Sequence, residues 1–299
     1  MSETRCGYVA IVGAPNAGKS TLLNTLVGAK VAIVTPKVQT TRSRIIAIGI
    51  EGPVQLIFVD TPGIFLPRRR LDRAMVQAAW AGATDADAVV LLVDAAHYSA
   101  EHLAPILEGL GQLANPPILA LNKVDAVAKE KLLTIAAELN AKAKFSEVFM
   151  ISALTGDGVA DLKARLAALM PSGPWLYPED QLADMPERLL AAEITREKLF
   201  LRLHQEVPYG LTVETESWEE HKDGSVKINQ AIHVARAGHK PIVLGKGGQT
   251  LKAIGAAARA DMEQSFDRRV HLFLFVRVTE NWAEDPEHYR SIGLEFPKG

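Results

Sequence analysis

Five short apolar runs recur through the first half of the chain: YVAIVG (8–13), VQLIFVD (54–60), AVVLLVD (88–94), PILALN (117–122) and EVFMIS (147–152). Most are rich in Val, Ile and Leu and lack polar alternation. Strands buried on both faces read this way, and they belong to mostly parallel sheets covered by helices. The gaps between them carry helix-like segments at 19–27, 70–83, 100–113, 128–142 and 158–170. Strand alternating with helix predicts a doubly wound α/β domain. RIIAIGIE (44–51) adds one strand, joined through Gly52-Pro53 to the next run as an antiparallel edge hairpin.

The pattern changes after 170. PSGPWLYPEDQLADMP (171–186) holds four prolines in sixteen residues. Proline cannot continue a helix and biases its predecessor to extended backbone, so a stiff linker and a domain boundary are expected here. The expected division is a first domain over 1–171, a linker over 172–186 and a second domain over 187–299. In the second domain PERLLAAEITREKLFLRLHQEV reads as a helix with Leu190, Ile194, Leu199 and Leu201 at helical spacing. LTVETESWEE and SVKINQAIHVAR alternate as half-buried strands around a turn at HKDGS. A glycine loop, VLGKGGQTLKAIG (243–255), opens into a second helix, and VHLFLFVRV closes the region as a strand. The order is α-β-β, loop, α-β.

Composition adds little until it is read locally. Of 299 residues, 48% are hydrophobic and 23% charged, the profile of a soluble globular protein with real cores. The net charge of −2 names no partner. Between Val226 and Thr279, however, nine Lys/Arg face three acids, a local +6 flanked by acidic stretches. Such an island points to an anion site. The single cysteine, Cys6, excludes a disulfide within the chain and fits a reducing, cytoplasmic compartment. Nothing at the start resembles a signal peptide, and ADAVVLLVDAA is too short to span a bilayer, so no transmembrane segment is expected.

GAPNAGKS (13–20) matches G-x-x-x-x-G-K-[ST] between a predicted strand and a predicted helix. Gly13 and Gly18 let backbone N–H groups turn toward phosphates, with Pro15, Asn16, Ala17 and Thr21 completing the cradle. Lys19 neutralises β/γ charge, and the Ser20 hydroxyl ligates Mg²⁺. NKVD (122–125) ends an apolar strand. There the Asp125 carboxylate can accept from guanine N1 and its amino group, the Lys123 stem can lie over the base, and Asn122 can tie this loop to the phosphate loop. SAL (152–154) follows the next strand, so Ser152, Ala153 and Leu154 complete the guanine reader, with the Ala153 N–H on guanine O6. DTPG (60–63) gives Asp60 for Mg²⁺ through water and the Gly63 N–H for the γ-phosphate. VQTTR (38–42) is the candidate first switch, and Thr41, preferred over Thr40, completes the metal shell. Lys19, Thr41 and Gly63 are the expected catalytic set.

These elements, in this order, resemble the translation-factor-related GTPases. The resemblance implies GTP/GDP and Mg²⁺ as ligands. Ile64 departs from the water-orienting Gln of Ras-like relatives, and an aliphatic side chain cannot position water. Intrinsic hydrolysis should therefore be slow and rely on backbone, bound ions or a partner. In several relatives an asparagine at the position of Asn16 helps bind K⁺, so K⁺ is a candidate cofactor here.

The second loop, GKGG (245–248), is no second Walker loop, because Gly247 stands where Ser or Thr is required. It fits G-x-x-G, which in KH domains clamps the backbone of about four single-stranded nucleotides. Gly245, Gly247 and Gly248 permit close approach, while Lys246 and Lys252 bring charge to phosphate. Ile242, Val243 and Leu251 are candidates for an apolar base groove, with at least one expected in the core. The element order is that of an α+β type II KH domain.

A GTPase domain followed by a type II KH domain, with GAPNAGKSTL, QTTR and REKLFLRLHQEVPYG, resembles the bacterial Era-type GTPases over essentially the whole chain. The resemblance implies an assembly factor that binds the 3′ end of small-subunit (16S) ribosomal RNA on the small ribosomal subunit. It also implies that GTP favours the RNA-competent arrangement, that hydrolysis releases the factor, and that it attaches peripherally to the inner membrane. A monomer is expected. A membrane-linked signalling GTPase acting through protein partners is the alternative reading. An RNA-modifying enzyme gated by GTP lacks a further catalytic cluster, and His204, His221, His233, His239 and His271 show no metal-ligand spacing.

Overall fold

The computed structural model describes residues 4–37, 40–41, 45–67, 69–204, 206–280, 282–286, 289 and 294–297. The chain forms two compact units. One comprises Met1–Ala32, Thr41–Asp184 and Gly293–Gly299; the other comprises Ile33–Thr40 and Met185–Ile292.

In the first unit, β1 (Arg5–Val12), β2 (Ile45–Glu51), β3 (Val54–Asp60), β4 (Ala88–Asp94), β5 (Ile118–Asn122) and β6 (Val148–Met150) form one sheet in the order β2-β3-β1-β4-β5-β6. All pairs are parallel except β2 with β3, the expected edge hairpin. Helices α1 (Lys19–Val27), α2 (Arg70–Thr84), α3 (Ala100–Leu110), α4 (Lys129–Lys142) and α5 (Val159–Leu169) follow strands as the sequence pattern predicts. All seven residues of β3 and all five of β5 are buried, which is why these runs carry no polar alternation. Helix α3 stops three residues early. There Gln112 and Leu113 bond back only three positions, to Gly109 and Leu110, tightening the last turn before Pro116. β1 lies between β3 and β4, so successive connections leave it toward opposite sides. Ligands in open α/β sheets bind at such a switch point, outside the carboxyl ends of the strands.

The proline-rich stretch is not a free spacer. Thr4 and Cys6 exchange backbone bonds with Gly173 and Pro171, and the buried Gln55 side chain holds Leu176 and Tyr177. Ile48 and Ile46 then pair with Leu182 and Asp184, which covers the outer edge of β2. The stretch belongs to the first unit as far as Asp184.

In the second unit, α6 (Glu187–Arg202), β7 (Leu211–Glu220), β8 (Val226–Val234), α7 (His239–Leu244), α8 (Gln249–Phe266) and β9 (Val270–Val278) give a sheet β7-β8-β9 with helices packed on it. β7 and β8 form an antiparallel hairpin with a bulge between Thr215 and Ser217, while β9 runs parallel to β8. Helix α6 buries Ala191, Ile194, Leu199 and Phe200. Leu201, expected inward, is exposed; two residues along a helix turn about 200°, so Leu199 and Leu201 cannot share one face. The same helix buries charge. Arg196 is paired with Glu193, lies over the Phe200 ring and donates to the Thr40 carbonyl, while Glu197 accepts the Val34 N–H at 2.9 Å. These bonds explain why Ile33–Thr40 groups with this unit. Among the described residues no helix is long and apolar enough to cross a membrane.

Candidate functional site

The loop after β1 wraps the start of α1, whose unpaired N–H groups and dipole favour an anion. Lys19, the first helical residue, is buried, and its Nζ donates to the Gly13 and Ala14 carbonyls at 3.1 and 2.9 Å. Burial depresses its pKa to about 8, against the opposing pull of the Asp60 charge. Gly18 has φ 97°, and a Cβ there would run into the Asn122 amide. Pro15 and Asn16 form the rim, with Asn16 exposed and left-handed at φ 61°. The Ile64 N–H donates to the Gly13 carbonyl at 3.0 Å, which places Gly63 beside the loop.

Three oxygens converge next to it. Ser20 Oγ lies 2.9 Å from Asp60 Oδ2 and 3.0 Å from Thr41 Oγ1, and Thr41 Oγ1 lies 3.4 Å from Asp60 Oδ2. Asp60 is fully buried, and its Oδ1 has no hydrogen-bond partner among the described residues. Burial raises its pKa, while Lys19 and the two hydroxyls pull it down. Two hydroxyls and a carboxylate with a spare lone pair fit a hard, oxygen-seeking cation that keeps several waters. The neighbouring threonine faces elsewhere: the Thr40 hydroxyl bonds to the Lys37 carbonyl and Thr35. Val38, Gln39 and Arg42 of the expected switch lie outside the described residues.

At the base end, Asn122 bridges two loops. Its Nδ2 donates to the Ala17 carbonyl at 2.8 Å, and its Oδ1 accepts the Ala153 N–H at 2.9 Å. That N–H is the one expected on guanine O6; because it already holds Asn122, a guanine contact there would be a three-centre bond. Thr25 of α1 also binds this loop, through the Ala153 carbonyl at 2.7 Å. Ser152 is buried and its Oγ accepts the Thr155 N–H, whereas Leu154 projects outward with 82% exposure. Asp125 is exposed at the loop tip. Lys123 Nζ donates to the Asn16 carbonyl at 3.1 Å and pairs with Asp94 at 2.6 Å. Asp94 escaped the sequence reading. Its only signal is that AVVLLVD ends on an acid at the same level as LALN ends on Asn122.

The second loop joins α7 to α8. Gly245, Gly247 and Gly248 have φ of 72°, 60° and 77°, a run that L side chains rarely adopt. Lys246 and Lys252 are exposed beside it. Ile242 is half exposed and Leu251 is partly buried against the core. Val243 is fully buried among Phe200, Ile232 and Ile254, so its side chain packs the core rather than a base groove. The basic island is weaker than its sequence suggests. Folding of the sheet and of α6 brings acids back onto it, with Lys227 on Glu219, Arg277 on Glu216, and Arg268 on Glu187 and Glu220.

Comparison with known proteins agrees with both halves. Residues 8–123 match the family model described as 50S ribosome-binding GTPase, and residues 206–283 match the KH domain model. The chain is 59% identical to GTPase Era of Rhizobium meliloti (strain 1021), over 99% of this chain and 94% of that protein. It is 56% identical to GTPase Era of Caulobacter vibrioides, over 99% and 98%. Among solved structures, a variant of Aquifex aeolicus Era bound to GDP·AlF4⁻ superposes with TM-score 0.91 at 38% identity, covering 97% of this chain and 99% of that one. Era in complex with MgGDPNP and nucleotides 1506–1542 of 16S ribosomal RNA superposes with TM-score 0.92, also at 38% identity and with the same coverage.

Replacing Asn122 with Ala strands a buried carbonyl at Ala17 and a buried N–H at Ala153. Each stranded group costs about 1–3 kcal/mol. Urea denaturation of the nucleotide-free protein should show the first unit destabilised accordingly; an unchanged midpoint would show that water replaces both bonds.

Proposed function

The chain belongs to the Era family of GTPases, which hydrolyse GTP to GDP and phosphate, and on that premise we propose that it is a switch whose output is binding to the 3′ end of small-subunit (16S) ribosomal RNA during small-subunit assembly. The GTPase domain spans 1–171, residues 172–186 connect it, and the type II KH domain spans 187–299. The convergence of Ser20, Thr41 and Asp60 Oδ2, with the other oxygen of that carboxylate left unpaired among the described residues, supports the nucleotide half. Mg²⁺, when bound, neutralises charge on the β- and γ-phosphates. Ser20, Thr41 and Asp60 would hold it. Lys19 lies against the β/γ oxygens, the Gly63 N–H meets the γ-phosphate, and Asp125 reads guanine. The buried Ile64 offers no hydrogen bond to water, so unaided turnover is slow.

Asn16, exposed at the phosphate rim, supplies one further element, a K⁺ ligand. Hydrolysis should then run faster in KCl than in NaCl at equal ionic strength. Equal rates in the two salts would remove K⁺ from the mechanism.

The exposed Lys246 in a loop of left-handed glycines supports the RNA half. The loop backbone approaches phosphates, Lys246 and Lys252 supply salt-sensitive affinity, and Ile242 and Leu251 offer an apolar wall for bases. Residence as a monomer in the cytoplasm, attached peripherally to the inner membrane, belongs to the same reading; the single buried Cys6 supports the reducing compartment.

The double replacement Lys246→Asp, Gly247→Asp tests it. Affinity for a 3′-terminal small-subunit RNA fragment should fall at least about tenfold, as expected when phosphate contacts are lost and charge is reversed. Hydrolysis of GTP should stay within about twofold of the unmodified protein. Unchanged affinity in a folded variant would reject the KH assignment and favour a GTPase acting through protein partners. Equal binding of a large-subunit RNA fragment would reject the small-subunit assignment.

A further inference from the structure

Asp94 is the last residue of β4, and in the parallel register it lies level with Asn122, the last residue of β5. The two strand ends therefore release their loops side by side. The first loop turns back on the Asp94 carboxylate at once. Oδ1 accepts the N–H groups of Ala96 and His97 at 2.9 and 3.1 Å, which fixes the rotamer. The second oxygen, Oδ2, is thereby aimed across the strand gap at Lys123 Nζ, 2.6 Å away. The exposed His97 ring approaches the same oxygen at 3.1 Å. Burial opposes ionisation of Asp94, yet the bonds from Lys123 and His97 hold its carboxyl below the usual carboxylate range.

Lys123 is unusual in its own right. Its backbone is left-handed at φ 66°, a conformation a straight-chain residue rarely takes. Its amine is held at two points, by Asp94 on one side and by the Asn16 carbonyl of the phosphate loop on the other. A lysine side chain free in solvent samples many rotamers, and a fixed one presents its hydrocarbon stem as a flat apolar strip. The strip reaches from its own loop, which also carries Asp125, to the loop that cradles phosphate.

We propose that Asp94 is a positioning residue for nucleotide retention: it holds Lys123 extended, so that the lysine stem covers the guanine and the bound nucleotide leaves slowly. This rests on the guanine-nucleotide reading above. Asp94 touches neither base nor phosphate. It acts by removing the freedom of the residue that does, and by stapling the base-reading loop to the phosphate loop through one amine. The expected effect is therefore on dissociation, with association and the chemical step untouched.

The Asp94→Asn variant keeps the shape and the turn-forming oxygen but loses the charge. Stopped-flow release of a fluorescent GDP analogue should be about tenfold faster, the loss expected for one partly exposed charge-assisted hydrogen bond. The association rate, kcat at saturating GTP and the preference for guanine over adenine should remain. In a Lys123→Met background the same change should add less than about twofold, because the residue it positions is gone; a merely structural role would give additive losses there. Wild-type release rates in Asp94→Asn, or full additivity with Lys123→Met, would overturn the proposal. Failure of the unmodified protein to bind guanine nucleotides would instead overturn the reading of the site.

Discussion

Two buried charges at the carboxyl ends of β1 and β3 set the terms for the first unit. Lys19 and Asp60 are held in a protein interior where an ion loses most of its hydration. Neither is fully compensated. The lysine amine is left with two carbonyls, its pKa is depressed to about 8, and one oxygen of Asp60 has no hydrogen-bond partner among the described residues. Such an arrangement costs stability, and it persists because the sheet, the start of α1 and the loop after β3 over-determine it. It is also preorganised. A polyphosphate and a divalent cation would supply the missing partners with little rearrangement, and a ligand that binds only the folded state returns stability by mass action.

The two glycine loops use one physical device for two proposed ligands. Each lets backbone approach an anion that side chains would block. They differ in what surrounds the lysine. Lys19 is buried between a strand and a helix, at the floor of a closed cradle suited to a compact triphosphate. Lys246 is exposed between two helices, on an open ridge suited to a polymer that runs past. Depth of the lysine, rather than the glycine spacing, separates a nucleotide pocket from a nucleic-acid surface.

Much of this was legible in the sequence, because buried parallel strands and amphipathic helices write their periods directly into residue order. The strands of both sheets, the edge hairpin and the helix after GKGG follow from those periods, whereas the short helix before that loop, His239–Leu244, did not show in them. The sequence was silent where a contact depends on register between distant elements. Asp94 meets Lys123 only because β4 and β5 end level. The +6 island is diluted only because β7 folds Glu216 and Glu219 back beside Arg277 and Lys227. Val243 and Ile242 are equivalent as letters, yet a short helix turns one into the core and the other outward. The prolines of 171–186 correctly ended a helix, but they could not reveal that Gln55 and the edge of β2 would hold the stretch that follows.

The central claim is that the buried Lys19 awaits an anion, and proton linkage tests it most directly. In the free protein Lys19, with its pKa near 8, is largely neutral at about pH 8.5. A phosphate beside it would raise that pKa, so binding must take up protons at about pH 8.5 and progressively fewer as the pH falls toward 7, where the amine is already charged. Calorimetric titration of Mg²⁺·GDP in two buffers of different ionisation enthalpy measures this uptake. The account predicts buffer-dependent heats that report proton uptake at about pH 8.5 and fade toward neutrality. Heats independent of the buffer at the higher pH, or proton release there, would contradict it.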